Sequence, residues 1–229
     1  MKKDTNCASQ NGIMSNTENI KNIVFDFGGV LLDIDYNLTY EAMKKILHAD
    51  FNPEFLSEDV KKIFYEFETG KSSVETFLWN IQRMAKKEVP HGKEIIDAWN
   101  AMLIGWDGSK FDLLLALRKK YNVFLLSNTN ELHLDWVYAD LVKNHKITDF
   151  DDQFFDKTFY SHIMGYRKPD AEIYYYVTKL TNVVPGETLF IDDLPQNIEA
   201  AKQVGWHGYL HNPADNLSMV LKDKLHLNY

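Results

Sequence analysis

Residues whose types could do chemistry together stand in four short stretches of the chain. Asp26-Phe27-Gly28-Gly29-Val30 follows the apolar run Ile23–Phe25, and Ser127-Asn128-Thr129-Asn130 follows Val123–Leu126. Asp192-Asp193 follows Leu189–Ile191, and Gly165-Tyr166-Arg167-Lys168-Pro169 stands ahead of the helical stretch before it. Each has an ordinary explanation by itself. Asp26 with two glycines could be a strand leaving a sheet through a turn, and Ser127 and Asn128 could cap a helix. Lys168 beside a proline could be a solvated surface residue, and Asp192 and Asp193 could favour a helix dipole. Adjacent carboxylates after a buried strand repel one another unless a cation compensates. The conjunction of all four points to chemistry.

The chemistry that fits these residues is phosphoryl transfer. The transferred group spreads negative charge over its equatorial oxygens, so catalysis rests on placement and charge neutralisation. Mg²⁺ takes oxygen ligands, a few from carboxylates and backbone carbonyls and the rest from water and phosphate. Asp26, Asp192 and Asp193 could supply the carboxylates. Ser127 and backbone N–H groups at a helix start could hold phosphate oxygens. Lys168 could neutralise nucleophile and phosphate, and Asp26 could form an aspartyl-phosphate that water hydrolyses.

The elements that must position these residues alternate. The runs Ile23–Phe25, Val123–Leu126, Leu189–Ile191 and Thr158–Tyr160 read as buried strands, with Trp206–Leu210 as one more. Helical spacing marks Asp112–Lys120, Ala171–Leu180 starting after Pro169, the face Ile198/Ala201/Val204 closed by Gly205, and Leu217–Leu225. This alternation predicts an α/β fold with a parallel sheet covered on both faces, whose strand C-termini gather ligands. From about Tyr36 to Gly105 the pattern breaks into amphipathic helical stripes with no strand: Ile63, Phe64 and Phe67; Val74, Phe77, Leu78 and Ile81; Ile95, Trp99, Met102 and Leu103.

Composition bounds the partners. The chain has 229 residues, 45% apolar and 25% charged, with a formal net charge of −8, which argues against nucleic acid or an anionic membrane as partner. A small anionic substrate stays open, because one metal ion reverses the potential locally. The single cysteine, Cys7, allows no intrachain disulfide and suits a cytoplasmic protein. Residues 1–20 are polar and lack the apolar core of a signal peptide, and are expected to be a disordered leader.

The four stretches resemble, in order and spacing, the four motifs of the haloacid dehalogenase (HAD) superfamily. Ile23 to Leu31 resembles the first, Leu125 to Asn130 the second, Gly165 to Asp170 the third, and Phe190 to Asp193 with Asn197 the fourth. The likeness covers about residues 21–210 and is greatest to a bacterial sugar-phosphatase branch acting on glucose 1-phosphate, related to the phosphatase domain fused to some epoxide hydrolases. The resemblance implies a Rossmann-like core (21–35 and 106–229) with a helical cap (36–105) inserted after the first strand. It implies a Mg²⁺-dependent phosphatase for a small phosphorylated metabolite such as a sugar 1-phosphate. Asp26 would be nucleophile and metal ligand, the Gly28 carbonyl a second ligand, and Asp193 a direct ligand, with Asp192 direct or through water. Ser127 and Asn128 would hold phosphate, with Lys168 beside them.

One departure matters. Most HAD phosphatases carry a second Asp two positions after the nucleophile as general acid and base; here that position is Gly28. The substrate is then expected to have a good leaving group, such as an anomeric hydroxyl, or water or a cap residue supplies the proton. Tyr36, Glu68, Trp99 and Asn100 are candidate cap contributors. The alternatives are a silent phosphate-binding or regulatory protein, for which Gly28 argues, and a metal-free haloacid dehalogenase, against which the Asp192/Asp193 pair argues.

Overall fold

The structure, a computed structural model, describes residues 19–48 and 56–229. Cys7 and the expected leader, up to residue 18, lie outside the described residues. Ile20, assigned to that leader, is buried against the core.

A five-stranded parallel sheet has the order β5-β4-β1-β6-β7, with β1 Asn22–Phe25, β4 Asn122–Ser127, β5 Lys157–Tyr160, β6 Thr188–Asp192 and β7 His207–Leu210. The apolar runs follow from burial of both faces: side chains alternate along a strand, so each face needs its own apolar set. Ile23, Phe25, Val123, Leu125, Leu189 and Ile191 face one helical layer, formed by α5 (Ser109–Leu117), α6 (Glu131–Asp140) and α7 (Phe150–Phe154). Val24, Phe124, Leu126 and Phe190 face the other, formed by α9 (Ala171–Thr181) and α10 (Pro195–Gln203). Gly205, at φ +89°, closes α10. The chain adds β4 and β5 on one side of β1, then β6 and β7 on the other. The sheet therefore reverses at β1, where open α/β sheets form a crevice.

Between β1 and β4 lie α1 (Tyr36–Leu47), α2 (Glu58–Glu68), α3 (Val74–Gln82) and α4 (Gly92–Asn100). Their stripes close on one another as a separate cluster that includes Met43, Phe67, Phe77, Ile95 and Trp99. Leu132 of α6 joins this cluster and ties it to the sheet domain.

Two expectations need correction. The stretch read as strandless ends in β3 (Leu103–Trp106), which pairs antiparallel with β2 (Leu32–Ile34). Leu103 thus belongs to a strand, and a four-residue strand whose partner lies some seventy residues earlier leaves no local signal. Helix α9 starts after Pro169, with Asp170 as its N-cap, and the Lys168–Pro169 bond is cis. The C-terminal helix is shorter than expected, α11 Leu217–Met219 followed by a π-helical turn over Val220–Lys224. A short helix, α8 (Ser161–Met164), precedes the Lys168 loop.

Candidate active site

The register of three central strands sets the site. Phe25 pairs with Leu125 and with Ile191, so Asp26, one residue on, is level with Leu126 and Asp192. The Asp26 N–H donates to the Ile191 carbonyl at 2.8 Å, which holds the residue at the strand end. The chain then turns: the Phe27 carbonyl accepts from the N–H groups of Leu31 and Leu32, both at 2.8 Å. Gly29 adopts φ +76°, and a Cβ there would collide with the Asp193 carboxylate. A glycine is required at this point on both counts.

Lys168 reaches into the centre from the α8–α9 loop. Its ammonium donates to Asp26 Oδ1 at 2.6 Å, to Asp192 Oδ2 at 2.8 Å and to the Leu126 carbonyl at 3.0 Å. All three donors of a side chain that is only 1% exposed are thereby satisfied. Burial opposes the charge, but Asp192 and Asp26 overcome it and hold the Lys168 pKa above its ordinary value. Burial raises the Asp26 carboxyl to about 7 against the pull of Lys168, and Asp192 adds to the rise. Asp193 is pushed up to about 6, by burial and then by Asp192.

Asp192 is the most fully engaged carboxylate. Besides Lys168, it accepts from the Leu194 N–H at 2.8 Å and from Asn197 Nδ2 at 3.0 Å on each oxygen. Asp26, Asp192 and Asp193 each offer an oxygen within 4.8 Å of the others. Clustered carboxylates that repel one another, with the Asp26 and Asp193 pKa values raised, suit a hard divalent cation such as Mg²⁺. With Asp192 already spent on four hydrogen bonds, Asp26 and Asp193 are the better placed to bind it directly.

Asp26, Gly28, Ser127, Asn128 and Lys168 line one cavity of about 230 Å³. The Asn128 carboxamide has a competing use to phosphate binding: Nδ2 donates to the Lys168 carbonyl and Oδ1 accepts from the Lys168 N–H, both at 2.8 Å. Its side chain holds the Lys168 loop in place. Of the cap candidates, Tyr36, Glu68 and Trp99 line the cavity. Asn100 does not; its buried Oδ1 has no hydrogen-bond partner among the described residues.

Among the cavity residues given no role of their own by sequence are Arg167 and His133. Arg167, beside Lys168, pairs with Glu68 Oε2 at 2.7 Å. His133 stacks on Trp99 with ring centroids 5.3 Å apart, its Nε2 lies 3.2 Å from the Trp99 carbonyl, and its Nδ1 lies 3.1 Å from Asn130 Nδ2. The one available signal was Asn130 as N-cap of α6, three residues before His133.

A family model described as haloacid dehalogenase-like hydrolase matches residues 20–205. The D-ribitol-5-phosphate phosphatase of Bacteroides thetaiotaomicron is 36% identical over 192 residues, covering 83% of this chain and 91% of that protein. A HAD-family enzyme of the same organism, solved with magnesium and inorganic phosphate, matches with a TM-score of 0.77 at 35% identity, over 88% of this chain and 98% of that one. A HAD-like hydrolase of Porphyromonas gingivalis matches with a TM-score of 0.80 at 34% identity, over 91% and 99% of the two chains.

Proposed function

The chain belongs to the haloacid dehalogenase-like hydrolase family, and on that premise we propose a Mg²⁺-dependent phosphatase acting on a small sugar or alditol phosphate through Asp26. The observation that carries this reading is the Asp26 carboxylate, held by Lys168 at 2.6 Å, beside Asp193 and at the floor of the cavity. A bound Mg²⁺, held by Asp26, Asp193 and the Gly28 carbonyl, would supply charge neutralisation for the phosphate oxygens.

Asp26 attacks phosphorus, the ester P–O bond breaks, and the alcohol oxygen leaves. Ser127 holds a phosphate oxygen, and Lys168 orients the attacking carboxylate while offsetting its charge. Asn128 and Asp192 act through Lys168 as positioning residues. Water then attacks phosphorus of the aspartyl-phosphate, which releases phosphate and restores Asp26. With glycine at position 28, water is the proton donor to the leaving oxygen. Helices α1–α4 form a cap over the cavity that excludes bulk water. The net charge of −8 and the single cysteine support a cytoplasmic enzyme with neither nucleic acid nor membrane as partner.

Phosphate release from a panel including D-ribitol 5-phosphate and glucose 1-phosphate, with Mg²⁺ and with EDTA, tests this for wild type and Asp26→Asn. Turnover should need metal and vanish in the variant; turnover that survives either change removes Asp26 or the metal from the mechanism. A second reading, phosphate binding without turnover, is favoured by one observation: Ile34 Cδ1 stands where a side chain at position 28 would project. Mg²⁺-dependent phosphate binding with no ester hydrolysed would establish it.

A further inference from the structure

The cavity lined by Asp26, Ser127 and Lys168 is also lined by an ion pair. Glu68 is the last residue of α2, and Arg167 precedes Lys168 in the loop from α8. Their 2.7 Å contact crosses from the inserted helices to the sheet domain, and both residues line the cavity. The pair is held from each side. The Thr69 hydroxyl donates to the Tyr65 carbonyl at 2.7 Å at the end of α2. Gly70, at φ +66°, brings that end so close to the His162 carbonyl of α8 that a Cβ would collide with it. The Arg167 guanidinium lies over the Tyr65 ring at 5.8 Å.

Resting on the phosphatase reading, we propose that Glu68 and Arg167 are the specificity-determining pair for the leaving alcohol, and that they select a singly phosphorylated polyhydroxy compound. A carboxylate accepts hydroxyl hydrogens and a guanidinium donates to hydroxyl oxygens, so the pair reads hydroxyl groups in both senses. Its two charges cancel, so it offers no surplus cation for a second phosphate, which disfavours bisphosphates and nucleoside diphosphates. Burial raises the Glu68 pKa and Arg167 opposes the rise, which keeps the acceptor tied to its partner. The cavity, about 230 Å³, falls below the roughly 300–1,000 Å³ of sites for drug-sized ligands. It suits a chain of a few hydroxylated carbons.

The experiment compares kcat and KM for D-ribitol 5-phosphate and for phenyl phosphate, which has no hydroxyl on its leaving group, with Mg²⁺ and the full chain. Glu68→Ala and Arg167→Met should raise KM for ribitol 5-phosphate by about 10- to 100-fold, the usual worth of a lost hydrogen bond to a charged group. The same variants should leave kcat and the phenyl phosphate constants within about threefold, and Glu68→Gln should recover most of the loss because an amide still accepts from hydroxyls. Equal losses on both esters would reduce the pair to a prop for the Lys168 loop and overturn the proposal, as would no loss on either. Wild-type preference for phenyl phosphate over every polyhydroxy ester would also sink it while leaving the phosphatase reading intact. No turnover of any ester by wild type would remove both.

Discussion

Installing a carboxyl at position 28 tests whether the missing acid limits this enzyme, and the structure shows why a single substitution would mislead. A Cβ on Gly28 would lie 2.8 Å from Ile34 Cδ1, but 3.7 Å from both Ile34 Cγ1 and Cγ2. The clash is with one methyl group. Gly28→Asp alone should therefore fold at a cost of about 1–3 kcal/mol from overpacking, with Ile34 displaced into the cavity. Ile34→Val deletes that methyl and leaves ordinary contacts, for at most about 0.5–1.5 kcal/mol. Gly28 has no positive φ, so an L side chain meets no backbone strain there.

The double variant Gly28→Asp/Ile34→Val should then raise kcat for an alkyl phosphate by about 10²–10⁴-fold, the range typical of general acid–base catalysis. An aryl phosphate, whose leaving oxygen needs little protonation, should gain far less. Gly28→Ala/Ile34→Val controls for shape, since it fills the same space without a carboxyl. The reasoning is refuted if the double variant folds and binds Mg²⁺ and phosphate, yet its ratio of alkyl to aryl turnover equals that of the control.

Two further perturbations follow from buried charge. Lys168→Met leaves Asp26 and Asp192 facing each other without their cation; the metal-free protein should lose about 3–5 kcal/mol, and Mg²⁺ should restore part of it. Thermal midpoints with and without Mg²⁺ check this, and a variant as stable as wild type without metal would contradict it. His133 supplies one part of the pH dependence: burial lowers its pKa from 6.5 to about 4, against the Trp99 carbonyl. The unfolded chain takes up this proton first, so the stability is fully present above pH 6.5 and is lost as pH falls towards 4. The ceiling is about 3 kcal/mol at 1.36 kcal/mol per pKa unit. Urea unfolding at pH 7.5 and 5 should show a smaller loss for His133→Gln than for wild type; equal losses would assign the pH dependence elsewhere.

What could be read from sequence followed the range of the interactions. Parallel strands buried on both faces announce themselves as short apolar runs, and the motif residues follow them directly, so Asp26, Ser127 and Asp192 could be placed at one rim. β2 and β3 could not, because their pairing joins segments some seventy residues apart and neither strand alternates for long enough to show a period. The role of Asn128 was hidden for a related reason. A carboxamide after a strand offers the same donors and acceptors to phosphate as to a neighbouring backbone, and only the approach of Lys168, forty residues on, decides between them.

Charge balance explains why the cluster tolerates burial at all. Asp26, Asp192 and Asp193 set three negative charges against the one positive charge of Lys168, a deficit of two when all are ionised. The raised values of about 7 for Asp26 and about 6 for Asp193 show the relief available without metal, which is to hold a proton near neutrality. A divalent cation removes the same deficit in full, so its binding must compete with that proton and strengthen as pH rises. On the proposed reading a phosphate dianion would restore the deficit and would be met by Ser127 and by backbone N–H groups instead of another cation. The Glu68–Arg167 pair, with one charge against the other, adds nothing to that deficit when both are ionised. On that reading the phosphoryl end is held by the metal, Lys168 and Ser127 and the alcohol end by hydrogen bonds to Glu68 and Arg167, while Ile34 fills the space beside Gly28.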